Sequence, residues 1–295
     1  MIRTDLAIEN KEMYDAKNNG QKIEIPGVEV DTDSYEEGIN VTRIKIADEN
    51  GSAVMQKPMG SYITIELPKA ANGAEDLKKV AAKAVGNELK KLVPFHYHLK
   101  VLVIGLGNEK VTPDALGPHT VSKIRVTRHL FLLYNVDGDE EQGCVSALCP
   151  GVMASTGMES AELIQGAAQI AQPEVVLAID ALAARNVERI GTTIQITDTG
   201  ISPGAGTGNM RKNLTEESIG RKVIAIGVPT VIDAGTMVLD SLSGYLSDAA
   251  EAEKYLDDTG LEMIVTTSDI DQSIHDFSEI IADAINIALH PGIYS

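Results

Sequence analysis

Two aspartates lie at the ends of apolar, strand-like runs and could act together in acid/base chemistry. The run VLVIGLG leads into a loop that carries Asp114, and the run VVLAI ends directly in Asp180. If both runs are strands of one open sheet, the two carboxyl groups can meet at the same sheet edge. Two carboxylates at one site cannot both ionise freely, so one would keep a proton while the other acts as a base.

Each of these aspartates can also be interpreted without chemistry. Asp114 follows Pro113 just before an expected helix start, where an acidic side chain favours the helix dipole. Asp180 is harder to explain in this way, because a carboxylate at the end of a buried strand is costly unless it is paired or used. The pattern makes Asp180 the stronger candidate for a functional group and leaves both interpretations of Asp114 open.

Two short motifs resemble known signatures but lack the surrounding pattern. Asp198, Thr199 and Gly200 match the triplet of the all-β aspartic proteases, whereas here the triplet follows a strand in an α/β pattern, and we interpret it as a turn. The GLG after the VLVI run resembles the start of a dinucleotide fingerprint, but Lys110 occupies the position of its third glycine. No cofactor is expected, and the glycines should instead let the chain turn sharply after the strand.

A glycine-rich loop at residues 204–212, GAGTGNMRK, carries two cations that could hold an anion. Arg211 and Lys212 could hold an anion or an acidic residue of a substrate, although the sequence alone favours a flexible surface loop. This segment is therefore a secondary candidate for substrate binding.

The histidines do not have the spacing of a metal site. His96 and His98 would share one face of an extended segment, but no further Cys or His accompanies them at ligand spacing. His119 and His129 lie near the loop of Asp114 and could support it. We expect no bound metal.

Composition sets the broad class of the protein. The chain has 295 residues, of which 43% are hydrophobic and 23% charged, enough for a sizeable core. Its net charge of -18 argues against direct nucleic-acid binding and against binding to an anionic membrane. No signal peptide or membrane span is evident, so a cytoplasmic protein is expected. Cys144 and Cys149 should be reduced, buried thiols.

Hydrophobic periodicity predicts an α/β fold. Residues 22–67 hold short alternating runs typical of antiparallel strands, which predicts a smaller, β-rich N-terminal element. Residues 75–92 have helical spacing, and Val/Ile-rich strands then alternate with helices, including one expected near 120–132. That alternation indicates a mainly parallel sheet covered by helices on both faces. Residues 248–260 are a polar connection or short helix, and residues 269–290 a C-terminal helix that docks on the core.

The densest motifs resemble one known family. They read RTDLAIE, VIGLGNEKVTPDALGP, VTRHLF, PGVMASTGMES, AIDALAARNVERI, TIQITDTGISPGAGTGNMRK and IAIGVPTVIDA. These strings resemble the germination protease, or spore protease, of spore-forming bacteria. The resemblance runs from the first residues to NIALH and is densest over residues 101–234.

This resemblance implies a fold, an activity and partners. It implies an atypical aspartic endopeptidase, made as a zymogen in the developing spore and assembled as a homotetramer in the spore core. Its substrates would be the small acid-soluble spore proteins degraded at germination. The fold would be similar to that of the hydrogenase-maturation proteases, with residues 1–295 forming one peptidase domain around a catalytic core at 95–240.

The family's functional residues correspond to particular positions of this chain. Its two aspartates fall on Asp114, in TPDALGP, and Asp180, in AIDALAAR. Its self-processing site falls on Asp5 and Leu6, which would make residues 1–5 a short propeptide. Family members usually have a longer segment before RTD, so control of activation by this short one is an open point.

Two other function classes fit the same residues. In a metallopeptidase of the hydrogenase-maturation type, Asp114 and Asp180 would bind a metal together with a histidine. In a regulatory protein without catalysis, the glycine-rich loops would hold an anionic ligand. Sensitivity to chelators separates the first alternative from a metal-free pair of acids, and any peptide cleavage excludes the second.

Overall fold

The computed structural model describes residues 3–18, 24–68, 74–205, 211–242, 245, 249–259 and 263–294. The strands of the described residues are β1 (Val28–Ser34), β2 (Asn40–Ile46), β3 (Gly60–Glu66), β4 (Lys100–Gly105), β5 (Cys144–Leu148), β6 (Val175–Ala184), β7 (Thr193–Thr197), β8 (Lys222–Asp233) and β9 (Ile264–Val265). The α-helices are α1 (Ala7–Lys17), α2 (Glu49–Met55), α3 (Glu75–Leu92), α4 (Leu116–Val121), α5 (Arg128–Tyr134), α6 (Met153–Thr156), α7 (Ser160–Ala171), α8 (Glu216–Ile219), α9 (Ala234–Leu242), α10 (Ala249–Thr259) and α11 (Ile270–Leu289).

One mixed sheet contains all nine of these strands. Its order is β1-β2-β3-β7-β8-β6-β4-β5, and β9 pairs with the end of β8. Only β5, β4, β6 and β8 run parallel to one another, whereas β1, β2, β3 and β7 extend the sheet by antiparallel pairing. The expected α/β class is confirmed. The expected mainly parallel sheet is wrong, because β3 pairs with β7 and joins the N-terminal strands to the same sheet.

Helices cover both faces of the sheet, which explains the nearly continuous apolar runs of the central strands. Val101 and Val103 of β4 face a core that contains α3 and α11. Leu102 and Ile104 face the opposite core, beneath α7 and α8. Because successive side chains of a strand point to opposite faces, a strand covered on both sides must be apolar at every position.

The long helices α3 and α11 pack together on one face of the sheet. Both were expected from their helical periodicity, at residues 75–92 and 269–290. Gly86 allows them to approach closely, since a Cβ atom there would lie 3.2 Å from the carbonyl oxygen of Ala284. The close approach buries most of the apolar side of α11, so this helix is part of the core.

Local expectations failed where turn-like residues belong to helices or interrupt them. The segment DENGS, residues 48–52, has a composition typical of a turn but begins α2, because Asp48 caps that helix by accepting the N–H of Gly51 at 2.8 Å. The helix expected near 120–132 is divided into α4 and α5. Residues 249–259 form a helix.

The two cysteines differ in their exposure. Cys144 is buried as expected, whereas Cys149 is exposed because it lies beyond the end of β5, and both thiols are free.

Among the described helices, none has the length and apolar character needed to cross a membrane.

Candidate active site

A loop after β4 holds Asp114 in place. The chain turns at Gly107, whose φ of +103° favours glycine, and a Cβ atom there would lie 2.0 Å from the carbonyl oxygen of Asp114. Asn108 closes the loop, since its N–H donates to the carboxylate Oδ2 and to the main-chain oxygen of Asp114, both at 2.9 Å. Partial burial raises the pKa of Asp114, although the Asn108 N–H opposes this effect. Its side chain therefore belongs to a shaped loop rather than to a simple helix cap.

Asp180 lies within β6, at the point where the neighbouring strand ends. The pairing of β4 with β6 stops at Ile179, so β4 no longer covers this edge of β6 from Asp180 onward. The side chain of Asp180 is 5% exposed, and its Oδ1 accepts only the N–H of Ala181, at 3.0 Å, among the bonds of the described residues. Burial, followed by the charges of Asp114 and Asp5, raises the pKa of Asp180 well above its usual value.

Both carboxyl groups line one cavity of about 430 Å³. Its walls come from the Asp114 loop, the start of α7, the segment around Gly204 and Arg211, and the ends of β8 and β9. Thr230 of β8 donates to the carbonyl oxygen of Pro113 at 2.7 Å, and Thr266 donates to that of Thr230 at 2.6 Å. These two hydroxyl groups attach the Asp114 loop to the far wall and give the cavity a defined width.

Cations stand at the rim of this cavity. Arg211 and Lys212 both line it, and Lys212 forms an exposed ion pair with Glu162 at 2.9 Å. The two described ends of the candidate anion-binding loop therefore line the same cavity as the two aspartates. Residues 206–210, its central part, lie outside the described residues.

The N-terminal segment brings a third carboxylate close to these two. Asp5 pairs with the end of β6, because its N–H donates to the carbonyl oxygen of Ala183 at 2.9 Å and its Oδ2 accepts the N–H of Ala183 at 2.8 Å. Leu6 and Ala7 follow with no exposed surface, packed in an apolar cluster with Ile44 and other residues. Thus the structure brings Asp5, Asp114 and Asp180 together and buries Leu6.

Two residues of this region escaped the sequence analysis. Lys57, just after α2, donates to the carbonyl oxygen of Asp5 at 2.9 Å, and Gln195 of β7 donates to the same oxygen at 3.1 Å. Gln195 is 6% exposed. A glutamine inside the apolar strand TIQIT was the available signal, since a buried amide needs partners.

Salt bridges fasten α1 beside this site. Glu9 accepts the N–H groups of Arg185 and Asn186 at 2.8 and 2.9 Å, just beyond β6. Arg189 lies near Glu9 at 3.6 Å and pairs with Glu66 at 2.8 Å. Burial raises the pKa of Glu9 despite these partners. The contacts of Glu9 hold the start of α1 against the residues that follow β6.

Other candidate residues do not reach the cavity. Asp198 accepts the N–H of Ser61 at 2.7 Å and holds the turn after β7, as expected of a turn residue. His96 bonds Glu174 at 3.1 Å, and His98 contacts the carbonyl oxygen of Asp137 at 3.2 Å, both at the surface. No histidine or cysteine is among the described residues that line the cavity, which places His119 and His129 outside it as well.

Comparison with known proteins shows the family of the chain. Residues 7–254 match the germination protease family. The germination protease of Caldanaerobacter subterraneus subsp. tengcongensis is 43% identical, with 99% of this chain and 95% of the relative covered. That of Clostridium tetani is 40% identical, covering 99% and 96%, and that of Bacillus pumilus 35%, covering 99% and 94%. A match over nearly the whole length means that the chain belongs to the germination protease family and is a peptidase.

Proposed function

We propose that Asp114 and Asp180 are the catalytic pair of this peptidase and that they activate water without a metal. The observation that carries the proposal is the raised pKa of the buried Asp180, to which the charge of Asp114 contributes inside a shared cavity. Such coupling favours a state in which one of the two carboxyl groups keeps its proton, as acid/base catalysis by two carboxyl groups requires.

The unequal burial of the two acids suggests their roles. Asp180 is almost fully buried and would hold the proton, whereas Asp114 is half-buried and would be the ionised base. Asp114 takes a proton from water as the water oxygen bonds to the carbonyl carbon, and Asp180 donates its proton to the carbonyl oxygen. When the C–N bond breaks, the hydroxyl proton returns to Asp180 and the proton on Asp114 passes to the leaving nitrogen.

The substrates we propose are the small acid-soluble proteins of the spore core. Relatives named germination protease support this choice. The cations Arg211 and Lys212 at the cavity rim suit a substrate segment that carries an acidic residue. The net charge of -18 on this chain makes its direct binding to nucleic acid unfavourable. The peptidase would therefore recognise the substrate protein itself and not any DNA bound to that substrate.

Assembly and processing are part of the same proposal. We infer a zymogen, residues 1–295 of which form one peptidase domain, processed between Asp5 and Leu6 and assembled as a homotetramer. Leu132, Leu133 and Tyr134 of α5 are 63%, 72% and 70% exposed, and such an apolar surface is typical of a subunit contact. The parallel strands β4, β5, β6 and β8 with their helices are the part we expect to resemble the hydrogenase-maturation proteases.

The direct test is incubation with a purified small acid-soluble spore protein, followed by mass mapping of the fragments. We expect a few defined internal cuts at acidic residues followed by apolar ones. A substrate that stays intact at every pH tested, with a correctly folded enzyme, would contradict the proposal. Cleavage of any kind would exclude a purely regulatory anion-binding protein.

A further inference from the structure

The peptide group between Asp5 and Leu6 is bound by side chains in an unusual way. Its carbonyl oxygen accepts hydrogen bonds from the Lys57 ammonium at 2.9 Å and from the Gln195 amide at 3.1 Å. The other end of the Gln195 amide accepts the N–H of Ala7 at 2.8 Å. Gln195 therefore binds the peptide groups before and after Leu6, and Lys57 adds a second donor at the oxygen of the first one.

This arrangement exceeds what is needed to satisfy a carbonyl group. Backbone carbonyl groups in folded proteins mostly pair with backbone N–H groups, and one partner is sufficient. Here two side-chain donors, one of them charged, converge on one oxygen. Lys57 is partly buried, and this burial lowers the pKa of its ammonium group although the charges of Asp5 and Glu9 oppose the effect. The cost of desolvating a cation is offset most strongly where negative charge forms nearby.

The residue that supplies this carbonyl group is anchored to the strand that carries Asp180. Asp5 is anchored to Ala183 of β6, the strand that carries Asp180. The charge of Asp5 raises the pKa of Asp180, so the two residues are within electrostatic reach. The Asp5–Leu6 bond is therefore held in a fixed conformation, and the side chain of Asp5 is within electrostatic reach of the acid of the proposed pair.

We propose that Lys57 and Gln195 stabilise the oxyanion that forms on the Asp5 carbonyl group when the chain hydrolyses its own Asp5–Leu6 bond. This inference rests on the proposed function, in which Asp114 and Asp180 supply the base and the acid. As the water oxygen, deprotonated by Asp114, bonds to the carbonyl carbon, the π electrons of the C=O bond move to the oxygen, which Lys57 and Gln195 then stabilise. In this self-cleavage Asp180 gives its proton to the leaving nitrogen of Leu6 as the C–N bond breaks and the C=O bond re-forms. Their distances of 2.9 and 3.1 Å match those of donors in known oxyanion sites, about 2.7–3.1 Å.

A purely structural role would give a different signature. If Lys57 and Gln195 only anchor the N-terminal segment, their loss releases residues 4–7, which hydrogen exchange at the Leu6 and Ala7 amides detects. If they stabilise an oxyanion, the rate of the cut falls while those amides remain protected. Gln195→Glu separates the two roles, because its carboxylate can still accept the Ala7 N–H but cannot donate to the Asp5 carbonyl group.

The experiment follows the appearance of the Leu6 terminus by mass spectrometry in the full chain, at mildly acidic and neutral pH. We expect Lys57→Met and Gln195→Glu to slow this cut about 100- to 1,000-fold each, as for loss of one oxyanion donor. Lys57→Arg, which keeps the charge, should recover part of the rate. Ala7 protection should remain within a few-fold of wild type in Gln195→Glu.

Two control variants change a lysine and a glutamine that also donate to backbone carbonyl groups but lie away from the Asp5–Leu6 bond. Lys222 also donates to a backbone carbonyl group, that of Leu92 at 2.8 Å, and Gln165 donates to that of Ser218 at 2.6 Å. Lys222→Met and Gln165→Glu should cut themselves at the wild-type rate.

Two results would overturn the inference. One is an unchanged rate of the cut in Lys57→Met and Gln195→Glu, and the other is a wild-type chain that degrades spore protein yet never acquires the Leu6 terminus. Failure of the proposed function is seen separately, as spore-protein cleavage that survives Asp114→Asn or Asp180→Asn.

Discussion

Burial and the charge of Asp114, which lines the same cavity, raise the pKa of Asp180. Their partners differ: Asp114 accepts an N–H from across its own loop, whereas Asp180 accepts only that of the following residue, Ala181, among the described bonds. Two carboxyl groups in such unlike surroundings lose their protons at different pH values. This difference in pKa allows one carboxyl group to act as an acid while the other acts as a base.

Replacing either acid by asparagine should abolish catalysis without unfolding the protein. Asn has nearly the same shape as Asp but can neither hold nor remove the transferred proton. We expect Asp114→Asn and Asp180→Asn each to lower kcat for spore-protein cleavage by about 10²- to 10⁴-fold. Gel assays with purified substrate measure this effect, and circular dichroism checks the fold. Near-normal activity in either variant contradicts the assignment.

Asp198→Asn is the control for this experiment. Asp198 is a turn residue that accepts the Ser61 N–H, and the carbonyl oxygen of Asn can accept the same bond. This variant should retain most of the wild-type activity. A loss as large as that of Asp180→Asn would instead support the triplet of Asp198, Thr199 and Gly200 as the catalytic element.

The rate of cleavage should depend on pH as a bell. Activity requires Asp114 ionised, and burial raises its pKa, so the acid limb should lie above the usual aspartate value of about 3.9. Activity also requires Asp180 protonated, so it should be lost as pH rises through the still higher pKa of that group. Single-turnover rates across the pH range report both limbs. A rate that keeps rising into alkaline pH contradicts the role of Asp180 as the acid.

The same pKa shift predicts how stability depends on pH. Because the folded state holds the Asp180 proton more tightly than the unfolded chain, folding loses stability as pH rises from about 3.9 towards the raised pKa. Asp180→Asn removes this loss, so its free energy of unfolding should exceed that of the wild type at neutral pH. The difference should vanish below about pH 3.9. Urea titrations at both pH values measure it, and a neutral-pH destabilisation would contradict the prediction.

Cleavage should persist after exhaustive treatment with strong chelators. The catalytic roles proposed here need two carboxyl groups and water. Among the described residues, the one cluster with metal-ligand geometry is His275, Asp276 and Glu279 on α11, and Lys78 already pairs with both of its acids at 3.3 and 2.9 Å. Activity lost on chelation and restored by one specific divalent ion would favour a metallopeptidase mechanism instead.

Removing Arg189 should destabilise the protein strongly. This cation sits among Glu9, Glu12 and Glu66, and Glu9 has no exposed surface. Arg189→Met leaves a buried carboxylate without its cation, which typically costs about 3–5 kcal/mol. Urea unfolding measures the change. Lys79→Met, which breaks an exposed pair with Asp76, should alter stability by less than about 1 kcal/mol and serves as the control.

Local periodicity predicted individual elements well, but it could not predict their partners. The helix at residues 75–92 was found with its bounds because its apolar residues recur at helical spacing over five turns' worth of chain. The pairing of β3 with β7, by contrast, joins distant segments, and no local pattern encodes strand direction. The sheet was expected to be mainly parallel because the Val/Ile-rich strands that signal parallel pairing are those at its centre.

The residues of the candidate site also differ in whether the sequence alone could predict them. Asp114 and Asp180 could be identified because each is a carboxylate beside a strand-like apolar run, an uncommon placement. Lys57 could not, because its significance depends on the Asp5 carbonyl group, which reaches it only after the N-terminal segment has docked on β6. Gln195 was visible as a polar residue in an apolar strand, but its partner was not.

The position of α11 has a consequence for the order in which the protein can fold. Phe277, Ile281 and Ile285 of this helix fill the core beneath the central strands, although the helix follows every strand along the chain. During synthesis that apolar surface stays uncovered until α11 has left the ribosome, so the sheet is incomplete on the nascent chain. A chain that ends before α11 would therefore leave the apolar side chains of the central strands that face this helix exposed to water, and burial of this core must wait for the last helix.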